Sequence, residues 1–323
     1  MYTKEDLKLI SKWIKDSDCI VFYTGAGMSV ASGIPTFRGK YGLWRLGRDL
    51  LFITLSISIL SFVLLSYYGY WSWLWMTPIW IFLTILSIFL PFIGAYSLAT
   101  PFGWNRFPKI SWIIFKLFFF DVIARAKHNK GHEFMKYIST VLNKEVHVVT
   151  GNVDCLEDDI NEVICHQIHG SIKTFFCTRC KEKFQLELDK PLPWSNPKCV
   201  KCNTRTNRTG CRLFMDLGNP YNRGFTFNND KLKKNSSICT FNRMMKKCYP
   251  DQTKICNFVI GTSGTVLFGT DSARGKIIEI NITDEPTTEV KNLTSEYKYI
   301  QAPQEEFLNE LKIFINDTKS SIN

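Results

Sequence analysis

The sequence predicts an α/β fold built on a parallel sheet, and three observations carry that prediction. Residues 19–23, 145–150, 258–263 and 276–281 are short runs rich in apolar side chains, as strands buried on both faces require. Stretches with apolar side chains at helical spacing lie between and around them. Turn residues follow the first run at Gly25 and Gly27 and end the third at Gly261 and Thr262, so the chain bends at strand C-termini, where open α/β sheets place ligands.

With 323 residues, the chain can form one large domain with a smaller one inserted. Residues 1–18 open it with Leu7, Ile10, Trp13 and Ile14 on one helical face, an ordinary amphipathic helix and not a cleavable signal peptide. After the first strand, Gly25 and Gly27 let the backbone approach an anion closely, with Ser29 and a helix N-terminus as donors. A plain strand-to-helix turn is the alternative. The continuation from Ser32 to Gly39 then sets Phe37 and Arg38 behind a rigid Ile34-Pro35.

Residues 50–105 contain no charged side chain. They hold two apolar spans, 51–68 and 73–98, each near the ~20 residues that cross a bilayer. Tyr70 and Trp71 stand at the tip between the spans, and Arg45, Arg48, Arg106 and Lys109 flank the base. Three readings of residues 51–97 stay open: a transmembrane hairpin with both flanks on the cytosolic side, a translated intron, and a buried helical insert.

Further on, residues 133–143 place Phe134, Tyr137, Ile138, Val141 and Leu142 on one helical face and lead into the strand at 145–150. His132 and His147 fall inside these elements with no acid partner nearby in sequence, which makes them structural, and His166 matches no motif. Of eleven cysteines, Cys177-x2-Cys180 and Cys199-x2-Cys202 have zinc-ribbon spacing. Four thiolates close the coordination sphere, so the zinc is structural, and the compartment is a reducing one. Cys19, Cys155, Cys165 and Cys256 read as packing residues. The tail ends in a helix carrying Phe307, Leu308, Leu311, Ile313 and Phe314. The net charge of +11 reflects a lysine- and asparagine-rich composition without a compact basic stripe interleaved with aromatics, which argues against sequence-specific nucleic-acid binding.

The stretch from Gly25 to Arg38 resembles the sirtuins, NAD-dependent protein-lysine deacylases whose signature reads Gly-Ala-Gly-x-Ser-x-x-Ser-Gly-Ile-Pro-Asp-Phe-Arg. Thr36 stands at the aspartate position. The resemblance implies that Gly25, Ala26, Gly27 and Ser29 line the pyrophosphate, that Phe37 guards the nicotinamide ribose, and that Arg38 steadies the cofactor. Thr150-Gly151-Asn152-Val153-Asp154 is similar to the family's Thr-Gln-Asn-Ile-Asp, which gives Asn152 the ribose and a water and Asp154 the nicotinamide carboxamide. Gly151 replaces the glutamine. By the same resemblance His169, in Gln167-Ile168-His169-Gly170, is the catalytic base toward a ribose hydroxyl, a task suited to a pKa near neutrality. Gly261, Thr262 and Ser263 meet the NAD phosphates, and Asn281 the adenosine ribose.

Residues 98–101, Leu-Ala-Thr-Pro, and the segment to His132 resemble the bacterial and mitochondrial desuccinylase-like branch. There a tyrosine and an arginine hold an acidic acyl group; here Phe115 and Phe118 occupy those positions, so a neutral acyl pocket, for acetyl or a longer chain, is expected. Around residues 210–247, the edge that meets the substrate peptide, the resemblance is thin.

The resemblance thus implies a doubly wound, Rossmann-like parallel sheet with a small zinc-ribbon and helical domain. Residues 1–50, 98–173 and 250–323 form the NAD-binding domain with a helical segment, 51–97 the hydrophobic insertion, 174–212 the zinc ribbon, and 213–249 a divergent substrate-side loop. NAD and zinc are the implied cofactors and an acylated protein the partner. The location is cytoplasmic or nuclear for a soluble chain, and membrane-associated with a cytosolic catalytic domain for an inserted hairpin. The alternatives are a mono-ADP-ribosyltransferase and a catalytically weak NAD-binding interaction protein.

Overall fold

The computed structural model describes residues 2–36, 100–187, 192–211, 238–262, 273–286 and 288–320, with isolated residues between 52 and 81. Helix α1 (Lys4–Asp16) starts at Thr3, whose hydroxyl and Asp6 carboxylate form a reciprocal capping box. It buries Leu7, Ile10, Trp13 and Ile14, the face its spacing predicts. Strand β1 (Cys19–Thr24) is buried at all six positions and runs through Gly25 into a 3-10 helix, Ala26–Ser32.

Next come α2 (Pro101–Arg106), capped by the Thr100 hydroxyl, and α3 (Pro108–Phe115), which continues through a π-helical turn, Lys116–Phe120. Helix α4 (Lys130–Thr140) is capped by Asn129 and leads to β2 (Glu145–Thr150) and β3 (Ile164–Gln167). The short strands β4 (Thr174–Cys177), β5 (Lys183–Gln185) and β6 (Asn207–Thr209) form an antiparallel sheet in the order β5-β4-β6. Helix α5 (Ile238–Cys248), β7 (Ile255–Ile260), β8 (Lys276–Asn281), β9 (Tyr297–Gln301) and α6 (Gln304–Ser320) complete the main elements.

The described strands of the main sheet run in the order β3-β2-β1-β7-β8-β9, and every pairing is parallel. The chain winds outward from β1 in both directions, so the topological switch point lies between β1 and β7. Alternation sends Ile20 and Phe22 to one face, under α1, α4 and α6, and Cys19, Val21 and Tyr23 to the other, under α5. A separate core of Trp104, Trp112, Phe115, Phe120 and Phe175 joins α2, α3 and the small sheet.

Two helix faces differ from their expected composition. Val141 is 54% exposed because α4 has already ended there. Ile313 is 52% exposed while Ile315 is buried, since Ile315 lies one turn beyond Leu311 and Ile313 is two residues off that line. Residues 51–97 lie almost wholly outside the described residues. Among those described, no helix is long and apolar enough to cross a membrane.

Candidate functional site

The loops after β1 and β7 cross backbone on backbone at the switch point. Gly25 N–H donates to Ile260 O (2.9 Å) and Gly27 N–H to Gly261 O (3.0 Å). A Cβ on Gly27 would lie 2.5 Å from Gly261 Cα, and Gly261 itself has φ +59°. The glycines are therefore required by one another: the close approach visible here is to a second loop, beyond the anion approach the sequence suggests. Asn129 secures the 3-10 turn from behind, its Nδ2 donating to Met28 O (2.8 Å) and Ser32 Oγ (3.0 Å).

The end of β2 supplies the second wall. Asn152 Nδ2 donates to Gly25 O (3.0 Å) and lies 3.2 Å from both Ser29 Oγ and Glu157 Oε1. Ser29 Oγ donates to Asp154 Oδ2 at 2.6 Å, so the β1 loop and the β2 loop form one hydrogen-bonded unit. Burial, and then the neighbouring Glu157 charge, push Asp154 up to about 6 against the Ser29 hydrogen bond. Burial also raises Glu157.

His169 follows β3 and is half-buried. Its segment is tied to β2 by Ile168 N–H donating to Thr150 O (2.9 Å), and Gly170 adopts φ +76° where a Cβ would strike Gly210 O. On the far side of β7, Asn281 Nδ2 donates to Thr262 O (2.8 Å), which joins the end of β8 to the Gly261 turn. Thus Gly25, Ala26, Gly27, Ser29, Asn152, Asp154, Gly261 and Thr262 converge on the sheet's C-terminal edge, with Asn281 beside them. Phe37, Arg38 and Ser263 lie outside the described residues.

Other expectations are modified. Phe115 is 3% exposed, its ring 5.7 Å from Trp104 and 5.5 Å from Phe175, so among the described residues it packs into the small-domain core. The Phe118 side chain lies outside the described set. His147 does have an acid partner: its Nε2 is 2.7 Å from Glu145 Oε1, because residues two apart on a strand share a face. Its Nδ1 lies 3.2 Å from His166 Nε2, and burial, then His147, lower His166 to about 3. Sequence reading missed Glu157, hidden at the head of an acidic run, Glu157-Asp158-Asp159, that looks like a solvated turn.

Cys177, Cys180, Cys199 and Cys202 bring four sulfurs within 4.8 Å of one another. The two knuckles match: Lys181 N–H donates to Cys177 O and Asn203 N–H to Cys199 O, both at 2.9 Å, and Lys181 and Asn203 both have positive φ. Burial raises the Cys177 thiol, but Thr204, the Cys180 backbone and Thr206 outweigh it and lower it, whereas the Glu182 backbone lowers Cys180 but burial and the neighbouring sulfurs outweigh it and raise it, as expected of thiols crowded together without a cation. Four thiolates at these separations fit a tetrahedral zinc that has no open position.

The family model described as the Sir2 family matches residues 93–268. An NAD-dependent protein deacylase from Aeropyrum pernix is 32% identical over 190 residues, 58% of this chain and 57% of that protein. NAD-dependent protein deacylase 1 from Caldanaerobacter subterraneus is 27% identical over 199 residues, 62% of each chain, so the chain spans under two thirds of such relatives' length. Among solved structures, a Sir2 homologue mutant in complex with ADP-ribose superposes with a TM-score of 0.61 over 99% of this chain and 98% of that one, at 24% identity. A Sir2 homologue–NAD complex gives 0.58 at 23% identity, covering 98% and 95%. At these identities the superpositions speak for the fold.

Proposed function

Because the chain belongs to the Sir2 family, we propose that it is an NAD-dependent protein-lysine deacylase that releases nicotinamide and O-acyl-ADP-ribose. The observation that carries this reading is the hydrogen-bonded unit of Gly25, Ser29, Asn152 and Asp154 at the sheet's switch point. NAD, when bound, supplies the ribose carbon that accepts the acyl oxygen as nicotinamide leaves. The chain's own residues orient and move protons: Asn152 fixes a ribose hydroxyl and a water, Asp154 holds the carboxamide, and His169 takes a proton from a ribose hydroxyl. Phe37, Arg38, Ser263 and Asn281 complete the cofactor contacts in this reading. Cys177, Cys180, Cys199 and Cys202 hold a zinc that braces the small domain and takes no part in the chemistry.

The acyl group is a neutral one. This rests on phenylalanine at 115 and 118, since neither ring offers the donor fork a desolvated carboxylate needs. On one peptide carrying acetyl-, myristoyl- or succinyl-lysine, kcat/KM is expected to be at least ~10-fold higher for a neutral acyl group, about 1.4 kcal/mol; faster removal of succinyl contradicts it. Thr36 and Gly151, which replace a carboxylate and an amide of the family motif, favour a second reading, a catalytically weak NAD-binding interaction protein. Transfer of ADP-ribose to protein would use the same cofactor site.

Membrane attachment through residues 51–97 is a separate part of the proposal, supported by the uncharged 50–105 stretch and its basic flanks. The full chain is then expected to float with liposomes and resist carbonate extraction, whereas a variant lacking 51–97 does not. Full extraction of the intact chain sinks the hairpin.

A further inference from the structure

Glu157 has no exposed surface and belongs to none of the motifs that define the site. Its Oε1 accepts hydrogen bonds from three directions: Thr24 Oγ1 at the end of β1 (2.7 Å), Thr150 Oγ1 at the end of β2 (3.2 Å), and Asn152 Nδ2 (3.2 Å). Its Oε2 has no hydrogen-bond partner among the described residues. A carboxyl group buried so completely, with half its accepting capacity unused, is costly for a part that only fills space.

The arrangement around Asn152 shows what the carboxyl does. The three groups facing Asn152 Nδ2, which are Gly25 O, Ser29 Oγ and Glu157 Oε1, can all accept, and two of them cannot donate. They fix the amide with its NH2 toward the strand ends and leave its carbonyl oxygen outside this set. Without Glu157 the remaining acceptors of the side-chain amide lie on one loop, the β1 loop, and only the backbone N–H of Asn152, donating to Thr150 Oγ1 (3.0 Å), still ties the residue to the end of β2.

We propose that Glu157 is a positioning residue that sets the side-chain amide of Asn152, and through it the cofactor ribose, by clamping Asn152 to the ends of β1 and β2. The inference rests on the deacylase reading for its effect on turnover, but not for its effect on binding. It also accounts for a buried acid three residues after Asp154: its charge is one cause of the raised Asp154 pKa, a side effect of placing the clamp there.

The test is a double-mutant cycle with Glu157→Gln and Asn152→Ala in the full-length chain, read as nicotinamide-releasing kcat, peptide KM and ADP-ribose Kd. Glutamine keeps the shape and one accepting oxygen but removes the charge that strengthens the three hydrogen bonds accepted by Oε1. Glu157→Gln is expected to lower kcat at least ~10-fold with peptide KM within about 2-fold, and to add less than about 2-fold to the loss in Asn152→Ala. ADP-ribose affinity is expected to show the same non-additivity. Unchanged kcat and Kd in Glu157→Gln, or losses that multiply in the double variant, overturn the proposal. A wild-type chain that binds ADP-ribose but releases no nicotinamide overturns the deacylase reading alone, and the binding cycle then decides the role of Glu157. Melting curves accompany each variant. If Glu157→Gln is unfolded at the assay temperature, Glu157→Asp replaces it, and unfolding of both overturns the positioning role in favour of a purely structural one.

Discussion

Replacing Cys177 with serine is expected to abolish stable folding of the small domain. The four sulfurs lie within 4.8 Å of one another, and bringing four thiolates together without a cation leaves their mutual repulsion uncompensated. Structural zinc sites of this kind contribute on the order of 10 kcal/mol of apparent binding energy at neutral pH, comparable to the stability of a whole domain. Little else in the ribbon can compensate, since β5 and β6 have three residues each and the apolar core beneath them is shared with α2 and α3. Bound zinc, about one ion per wild-type chain, should fall at least tenfold in Cys177→Ser, and the variant should aggregate or melt at a lower temperature than the wild-type chain. Retained zinc with an unchanged melting curve would contradict a four-cysteine structural site. A strong chelator should reproduce the defect in the wild-type chain.

His169→Ala is expected to lower turnover by ~10²–10⁴-fold while ADP-ribose binds within about 3-fold of wild type, because a general base contributes mainly to the transition state. The segment is held by backbone, through Ile168 N–H to Thr150 O and the positive φ of Gly170, so shortening the side chain leaves its anchors in place. His166→Ala is the contrasting variant. Its ring is buried against His147 and Phe241 on the α5 side of the sheet, so its loss should cost stability and spare the chemistry of correctly folded protein. Full activity in His169→Ala would remove the proposed base.

How far the sequence foretells these features depends on whether their cause is local. Strand β1 is legible because all six residues are buried and the first five, Cys19 to Tyr23, form an unbroken apolar run. Strand β9 escapes sequence reading because it is an edge strand of Tyr297, Lys298 and Tyr299 with only Ile300 buried, so neither alternation nor a continuous apolar run marks it. The cysteine knuckles are legible since their ligands sit at fixed short spacing, whereas the reason for Gly27 is not, because the atoms a Cβ would strike belong to Gly261 on another loop. Glu157 is hidden for a similar reason: nothing in Glu157-Asp158-Asp159 reveals that Thr24, on another strand, closes over its carboxyl. Phe115 combines both kinds of cause: its motif position suggests a substrate pocket, while its packing against Trp104 and Phe175 comes from elements elsewhere in the chain.

The proposed deacylase cleaves NAD only in step with removal of an acyl group from lysine. This coupling is tested most directly by measuring nicotinamide release from NAD with and without an acyl-lysine peptide, alongside the deacylated peptide formed. Release is expected to depend on the peptide, with one nicotinamide per acyl group removed and O-acyl-ADP-ribose as the third product. Nicotinamide release that ignores the peptide and leaves ADP-ribose attached to protein, or binding of NAD without any release, would contradict it.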